Sequence, residues 1–194
     1  MSRDLLVIGL GNPGDRYANT RHNVGVDALA MLAARYGERL RPDRASSSLS
    51  AELRIGTCRA VGAFPTTWMN ESGRAVASLV RRHGIEDWSQ LVVLHDELDL
   101  LPGRIKVKLG GGLAGHNGLR SITAHLHTQD YARIRIGVGR PPGGPGRGAD
   151  WVLSKVPSAQ RAELDVACEL AADAVEVIAA EGIDAAMQRF NQTQ

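Results

Sequence analysis

Leu5-Leu-Val-Ile-Gly-Leu-Gly-Asn-Pro-Gly14 is the stretch on which the fold turns. Its first half is a short apolar run closed by glycine, the pattern of a buried strand. Its second half spells G-x-G-x-x-G from Gly9 to Gly14, as a dinucleotide-binding turn would. That turn needs a helix to begin at once, so that the helix N-terminus meets a pyrophosphate. Arg16-Tyr-Ala-Asn-Thr-Arg-His-Asn23 is polar and has no apolar period, and Asp27 lies inside the next helix, not at the end of a second strand. The motif therefore argues against a nucleotide cofactor. A sharply turned loop at the carboxyl end of a strand remains, and open α/β sheets place their sites there.

Outward from this strand, elements alternate. Val26, Leu29, Ala30, Ala33 and Ala34 recur at helical spacing, which predicts a helix over Val24–Tyr36 stopped by Gly37. Leu49–Ile55 and Thr57–Ala63 read as strands joined at Gly56, Glu71–His83 as a helix stopped by Gly84, and Leu91–His95 as a strand. Arg104–Leu109 and Ala132–Gly139 alternate cations with Ile, Val and Leu, the period of half-exposed strands. Leu119–Leu126 is expected as a short helix, and Trp151-Val-Leu153 as a short strand after the loop Pro141-Pro-Gly-Gly-Pro-Gly146. Leu164, Cys168, Ala171, Val175 and Ile178 predict an amphipathic helix over Ser158–Glu181, with Ser158 as N-cap and Gly182 as stop. The expected architecture is a single α/β domain over residues 1–194, a three-layer sandwich with a twisted mixed β-sheet flanked by helices. The half-exposed strands argue against an entirely parallel sheet.

Composition agrees. The chain has 194 residues, 43% apolar and 23% charged, as expected of a soluble globule. Two cysteines, Cys58 and Cys168, are too few for a four-cysteine zinc site or a dense disulfide framework. No apolar run approaches the roughly 18 residues of a spanning helix. Met1-Ser-Arg-Asp runs into the first strand without a cleavage site, so the expectation is a cytoplasmic protein without a leader. The net charge of +2 conceals a division: residues 1–150 carry 20 basic against 14 acidic side chains, residues 151–194 carry 3 against 7. Within 101–147, eight basic residues face Asp130 alone. Such a stretch suits a phosphate-bearing partner, although it would also serve as an ordinary solvated surface.

Four segments hold polar groups beyond structural need: Gly11–Asn23, Pro65–Gly73, His95–Asp99 and Gly110–Gly118. Each follows a strand, so all four are expected to converge at one edge of the sheet. Taken singly, Asn12, Asn70 and Asn117 suit turns, Asp96 suits a cap, and His22 suits a loop surface. Together they form a kit. His95, Asp96, Glu97, Asp99, His125 and His127 include metal-ligand types, but neither H-E-x-x-H nor paired C-x-x-C spacing occurs, and no metal or cofactor is expected. G-x-S-x-G is absent and Cys58 falls within a strand, which leaves a serine or cysteine nucleophile without support. Imidazole can take a proton from water near neutral pH, with a carboxylate fixing its tautomer. Side-chain amides can serve an oxyanion or a peptide backbone. The combination points to hydrolysis of an acyl compound by activated water.

At these residues the chain resembles the bacterial peptidyl-tRNA hydrolase family along essentially its whole length. The matching strings are Leu10–Gly14, Thr20–Gly25, Trp68–Gly73, His95–Leu100, Gly110–Gly112 with Gly115–Leu119, and Arg135–Pro141. The resemblance implies a monomer that cleaves the ester between a peptide and the 3′-terminal ribose of tRNA, recycling tRNA from drop-off or stalled translation. Implied partners are peptidyl-tRNA and stalled large ribosomal subunits, with no membrane. By position, it makes His22 the general base and Asp96 the group that orients it. Asn12 becomes the residue that separates N-blocked from free aminoacyl-tRNA, and Asn70 and Asn117 the amides that hold substrate and water, Asn70 also serving the oxyanion. Tyr17 and Trp68 match tRNA-contacting aromatics, Met69 and His116 line the cleft, and Arg104, Lys106, Lys108, Arg133 and Arg135 meet phosphates. Two positions depart from the family pattern: Phe64, where lysine is common, and Trp68, where tyrosine or phenylalanine is usual. The competing reading is a non-catalytic RNA-binding module, which the basic stretch alone would serve.

Overall fold

The computed structural model describes residues 4–144 and 146–192. Residues 1–3, on which the leader reading rests, and Pro145 of the proline–glycine loop lie outside the described residues. The strands are β1 (Leu5–Gly9), β2 (Arg41–Asp43), β3 (Ser48–Ile55), β4 (Cys58–Pro65), β5 (Leu91–Glu97), β6 (Ile105–Leu109) and β7 (Ala132–Gly137). They form one seven-stranded sheet in the order β2-β3-β4-β1-β5-β7-β6. β4, β1, β5 and β7 run parallel, while β2, β3 and β6 pair antiparallel at the edges. The sheet is mixed, as expected.

Alternation along each central strand feeds two cores. Val7, Val92, Leu94, Ile134 and Ile136 face α1 (Val24–Arg35) and, later in the chain, α5 (Ser158–Glu181) and α6 (Ile183–Phe190). Leu6, Ile8, Leu91 and Val93 face α2 (Ser72–Arg82) and α3 (Asn117–Leu126). Both faces of the central strands are dry, each large aliphatic side chain contributing about 1.5–3 kcal/mol. β1 hands the chain to α1 on one face, and β4 hands it to α2 on the other. Their carboxyl ends therefore flank a topological switch point.

Two glycines allow unusually close packing. A Cβ on Gly25 would lie 2.3 Å from the Leu94 carbonyl oxygen, and one on Gly73 would lie 2.1 Å from that of Ser121. Gly25 thus lets the start of α1 sit directly on β1 and β5, three residues after His22.

Several expectations need correction. Trp151-Val-Leu153 is not a strand: residues Gly148–Val152 form a short helix, α4, whose Trp151 indole is engaged by Gly139 and Arg21, so no sheet edge is used. β2 had no signal, because its three residues Arg-Pro-Asp carry no apolar alternation and depend on β3. β7 is covered on both faces, not half-exposed, and Arg133 is buried within it. Leu109 on β6 is 42% exposed, since an edge strand leaves its last residue uncovered. Helix α5 begins after Pro157, so Ser158 is its first residue and makes no capping bond; Gly182 ends it as expected.

Candidate active site

The loop after β1 opens with a reciprocal amide pairing. Asn12 donates its backbone N–H to Asn23 Oδ1 at 2.9 Å, and Asn23 Nδ2 donates to the Asn12 carbonyl at 2.9 Å. Asn23 therefore stands in for a backbone strand and shapes the loop. The side-chain oxygen of Asn12 accepts the Met69 N–H at 2.8 Å, which ties this loop to the one after β4. With that oxygen committed, Asn12 has only its NH₂ donors left to offer in the cleft it lines, a group that can donate to an acceptor such as a carbonyl oxygen.

His22 sits in the 3-10 turn Arg21–Asn23 that leads into α1. Its Nδ1 lies 2.9 Å from both carboxylate oxygens of Asp96, the penultimate residue of β5. His116 Nε2 lies 2.8 Å from Asp96 Oδ1, and His116 Nδ1 accepts the N–H groups of Gly118 and Leu119 as the N-cap of α3. An accepting Nδ1 carries no proton, so the His116 hydrogen is on Nε2 and is donated to Asp96. Asp96 thus receives two imidazole N–H bonds. Nε2 of His22 has no partner among the described residues, and His22 lines the cleft. Its neutral form is a base aimed at open space.

Electrostatics follow from burial and pairing. Burial alone would depress the His22 pKa, but the charge and hydrogen bond of Asp96 outweigh it and raise the value above 6.5. Burial alone would raise that of Asp96, yet His22 and His116 hold it well below the ordinary carboxylate range. His95 is the opposite case: burial, then neighbouring His116, pushes its pKa down to about 3, and its Nδ1 donates to the Asp96 carbonyl. It stays neutral and is no acid–base candidate.

The ligand atoms of His22, Asp96 and His116 lie within 4.8 Å of one another, a grouping that could hold a metal by residue type. Their nitrogen–oxygen separations of 2.8–2.9 Å are those of hydrogen bonds. Ligands on a tetrahedral zinc at about 2.0 Å stand roughly 3.3 Å apart. The atoms fit a proton-sharing triad better than an ion. His125 lies in the last turn of α3, about 13 Å along the helix from His116, and bonds to the Ser121 carbonyl.

The resulting cleft has a volume of about 480 Å³ and includes Asn12, His22, Trp68, Met69, Asn70, Asp96, His116 and Asn117 among its lining. Asn70 and Asn117 are exposed and have no hydrogen-bond partner among the described residues, so both amides are available to a ligand. Trp68 is 54% exposed at the rim, and Tyr17 meets it edge-on with ring centroids 5.8 Å apart. Leu98, Val152 and Leu153 add an apolar wall, whereas no serine, threonine or cysteine is among the described lining residues.

The four polar segments do converge, but not all by the expected route. β6 is antiparallel, so its own end lies at the far edge beside Ala132. The glycine-rich segment after it climbs back over the sheet before His116 reaches Asp96. His116 was expected to line the cleft; it does, but both its ring nitrogens are spent on Asp96 and α3. Arg133 was expected to meet phosphates; it is 2% exposed and bonds the carbonyls of Gly111, Gly112 and Gln129, so it braces the glycine loop. Arg135 is paired with Glu97. Phe64 is buried in the core and not beside the cleft. Asn23 and Arg21 were not singled out as site residues, although both lie in the polar segment Gly11–Asn23 and in the family-matching string Thr20–Gly25 that holds His22.

A mixed α/β sheet with a switch-point cleft, an imidazole–carboxylate pair and free amides defines a class: α/β proteins equipped for general-base hydrolysis. A model of the peptidyl-tRNA hydrolase family matches residues 6–194, and the chain belongs to that family. It is 51% identical to the peptidyl-tRNA hydrolase of Cutibacterium acnes over 201 residues, covering 98% of this chain and 100% of that one. It is 45% identical to the enzyme of the same name from Mycobacterium tuberculosis over 191 residues, covering 98% and 99%. The crystal structure of peptidyl-tRNA hydrolase from Acinetobacter baumannii superposes with a TM-score of 0.91 at 38% identity, covering 99% of this chain and 96% of that one.

Proposed function

We propose that this chain hydrolyses the ester between the peptide and the 3′-terminal ribose of peptidyl-tRNA. The observation that carries the reading is the His22–Asp96 pair, with the free Nε2 of His22 in a cleft beside the amides of Asn12, Asn70 and Asn117. His22 Nε2 takes a proton from water as the water oxygen attacks the ester carbonyl carbon. The imidazolium is stabilised by Asp96 across Nδ1–H. The oxyanion of the tetrahedral intermediate accepts from an Asn70 amide N–H. On collapse the ester C–O bond breaks, and the imidazolium returns its proton to the ribose oxygen. The products are a free carboxylic acid and tRNA, and His22 is neutral again. Asn12 donates to a peptide carbonyl, a contact that a blocked amino group leaves undisturbed. Tyr17 and Trp68 stack on terminal bases.

On this reading the chain works as a monomer in the cytoplasm, on peptidyl-tRNA that has dropped off or remains on stalled large ribosomal subunits. Among the described residues no helix is long and apolar enough to cross a membrane. The test is release of N-acetyl-amino acid from N-acetyl-aminoacyl-tRNA by the purified chain in EDTA. Wild type is expected to turn over, and His22→Ala to lose about 10²–10⁴-fold in kcat with tRNA binding retained. Salt-sensitive tRNA binding without released acid in the wild type would instead identify a binding module.

A further inference from the structure

Arg21 precedes His22 and is buried to 3% exposure, yet no carboxylate pairs with it among the described residues. Its guanidinium lies 3.4 Å from the centroid of the Trp151 ring. Nη1 donates to Ser154 Oγ at 2.5 Å and Nη2 donates to Gln160 Oε1 at 2.7 Å. The Arg21 backbone N–H adds a bond to the Ser154 carbonyl at 3.4 Å, and Thr20 forms a bridge with Lys155. Each partner comes from residues 151–160. Trp151 is itself fixed by donating Nε1–H to the Gly139 carbonyl at 2.9 Å.

A buried cation without an anion is costly, and this one is compensated by a π face and two neutral acceptors. Only a planar fork can stack and reach both acceptors at once; an ammonium cannot. The same α4 that carries Trp151 lines the cleft through Gly148, Ala149 and Val152. Arg21 is therefore the side chain next to His22 that joins its turn to the cleft wall, beside the Thr20–Lys155 bridge and the Val156 N–H to Asn19 carbonyl bond earlier in the same loop.

We infer that Arg21 is a positioning residue: its stack on Trp151 and its bonds to Ser154 and Gln160 hold the His22 turn at hydrogen-bonding distance from Asp96 and tie that distance to the α4 wall. The inference rests on His22 as base for its kinetic consequence, but not for its structural one.

Two variants test it, Arg21→Lys and Trp151→Leu, with Trp151→Phe as the conservative control that keeps a ring face while losing the indole N–H. Four quantities are read: kcat and KM for N-acetyl-aminoacyl-tRNA, the thermal midpoint, and the NMR signal of the His22 Nδ1 proton held by Asp96. Arg21→Lys and Trp151→Leu are expected to lower kcat at least tenfold with KM within twofold, and to lose the protected Nδ1 proton while remaining folded. Trp151→Phe is expected to keep most of the rate and the signal. Should Arg21→Lys not fold, Trp151→Leu decides, because its ring is only half-buried. The inference is overturned if folded Arg21→Lys or Trp151→Leu keeps the wild-type Nδ1 signal; loss of that signal with kcat per folded molecule unchanged would instead remove His22 as the base. Because the Nδ1 signal is read without turnover, failure of His22 as the base is distinguishable from failure of this inference.

Discussion

At the scale of single residues, the proposed role of the His22–Asp96 pair fixes how the rate should respond to pH. His22 is a base only when neutral, and its pKa is raised above 6.5, so kcat/KM is expected to fall as pH drops through a midpoint above that value. Stability carries the opposite sign. A raised imidazole pKa contributes stability that is fully present below the unfolded value and is lost as pH rises through the folded one. Asp96, with its pKa depressed, contributes stability above the ordinary carboxylate value, lost as pH falls through the folded one. Asp96→Asn removes the anion while leaving a side chain of nearly the same shape. Burial then acts on His22 unopposed, and the rising limb of the pH profile should move to lower pH. The rate should fall by about 10⁴, as when a catalytic aspartate loses control of the imidazole tautomer. Steady-state rates between pH 5 and 9 check both; an unmoved limb would detach Asp96 from the base.

At the scale of elements, His116 links a helix to the site. As N-cap of α3 it accepts two backbone N–H groups, and through Nε2 it supports Asp96. His116→Asn keeps a capping oxygen but is too short to reach Asp96 as well. It should therefore unfold near the wild-type temperature and turn over roughly tenfold more slowly, within the value of a hydrogen bond to a charge. His116→Ala should lose the rate and also about 1 kcal/mol of stability. Melting curves beside kcat values separate the two roles. The sequence made His116 legible as a cleft residue, but not this double duty, because a cap and a carboxylate bond require α3 and β5 to be brought together. The same limit explains the other misses. β1 and β5 were readable because their aliphatic runs are short, rich in Val and Ile and, in β1, closed by glycine, which suits a strand buried on both faces. Trp151-Val-Leu153 has similar local character, but Trp151 and Val152 close the short helix α4, and the Arg21 stack and Gly139 bond that hold the indole there are both remote in sequence. Alternation in β7 suggested a wet face; α5 on one side and the glycine loop braced by Arg133 on the other exclude it. That His22, Asp96 and the three asparagines would share one cleft was legible because polar groups clustered after strands have few structural uses.

At the scale of the whole molecule, the charge division read from the sequence becomes more selective. The acids of α5 are partly answered at home: Glu169, Asp173 and Glu176 all bind Arg35 of α1. Of the eight cations in 101–147, Arg133 is buried, Arg135 pairs with Glu97 and Arg140 pairs with Asp99. Lys106, Lys108, Arg120 and Arg147 have no ion-pair partner among the described residues, and a phosphate would meet them at no cost in broken pairs. Each phosphate contact releases a counterion and adds about 0.7–0.9 to the slope of log K against log salt. Lys106→Gln with Lys108→Gln should therefore weaken tRNA binding and lower that slope by about 1–2. Arg133→Gln should do something different. It leaves the carbonyls of Gly111, Gly112 and Gln129 without their donors, at a cost on the order of 3 kcal/mol in stability, while the folded protein keeps its salt slope. Filter binding between 50 and 200 mM salt, beside thermal melts, tells them apart. A reduced slope in folded Arg133→Gln, with none in the lysine pair, would return Arg133 to the phosphates and remove Lys106 and Lys108 from them.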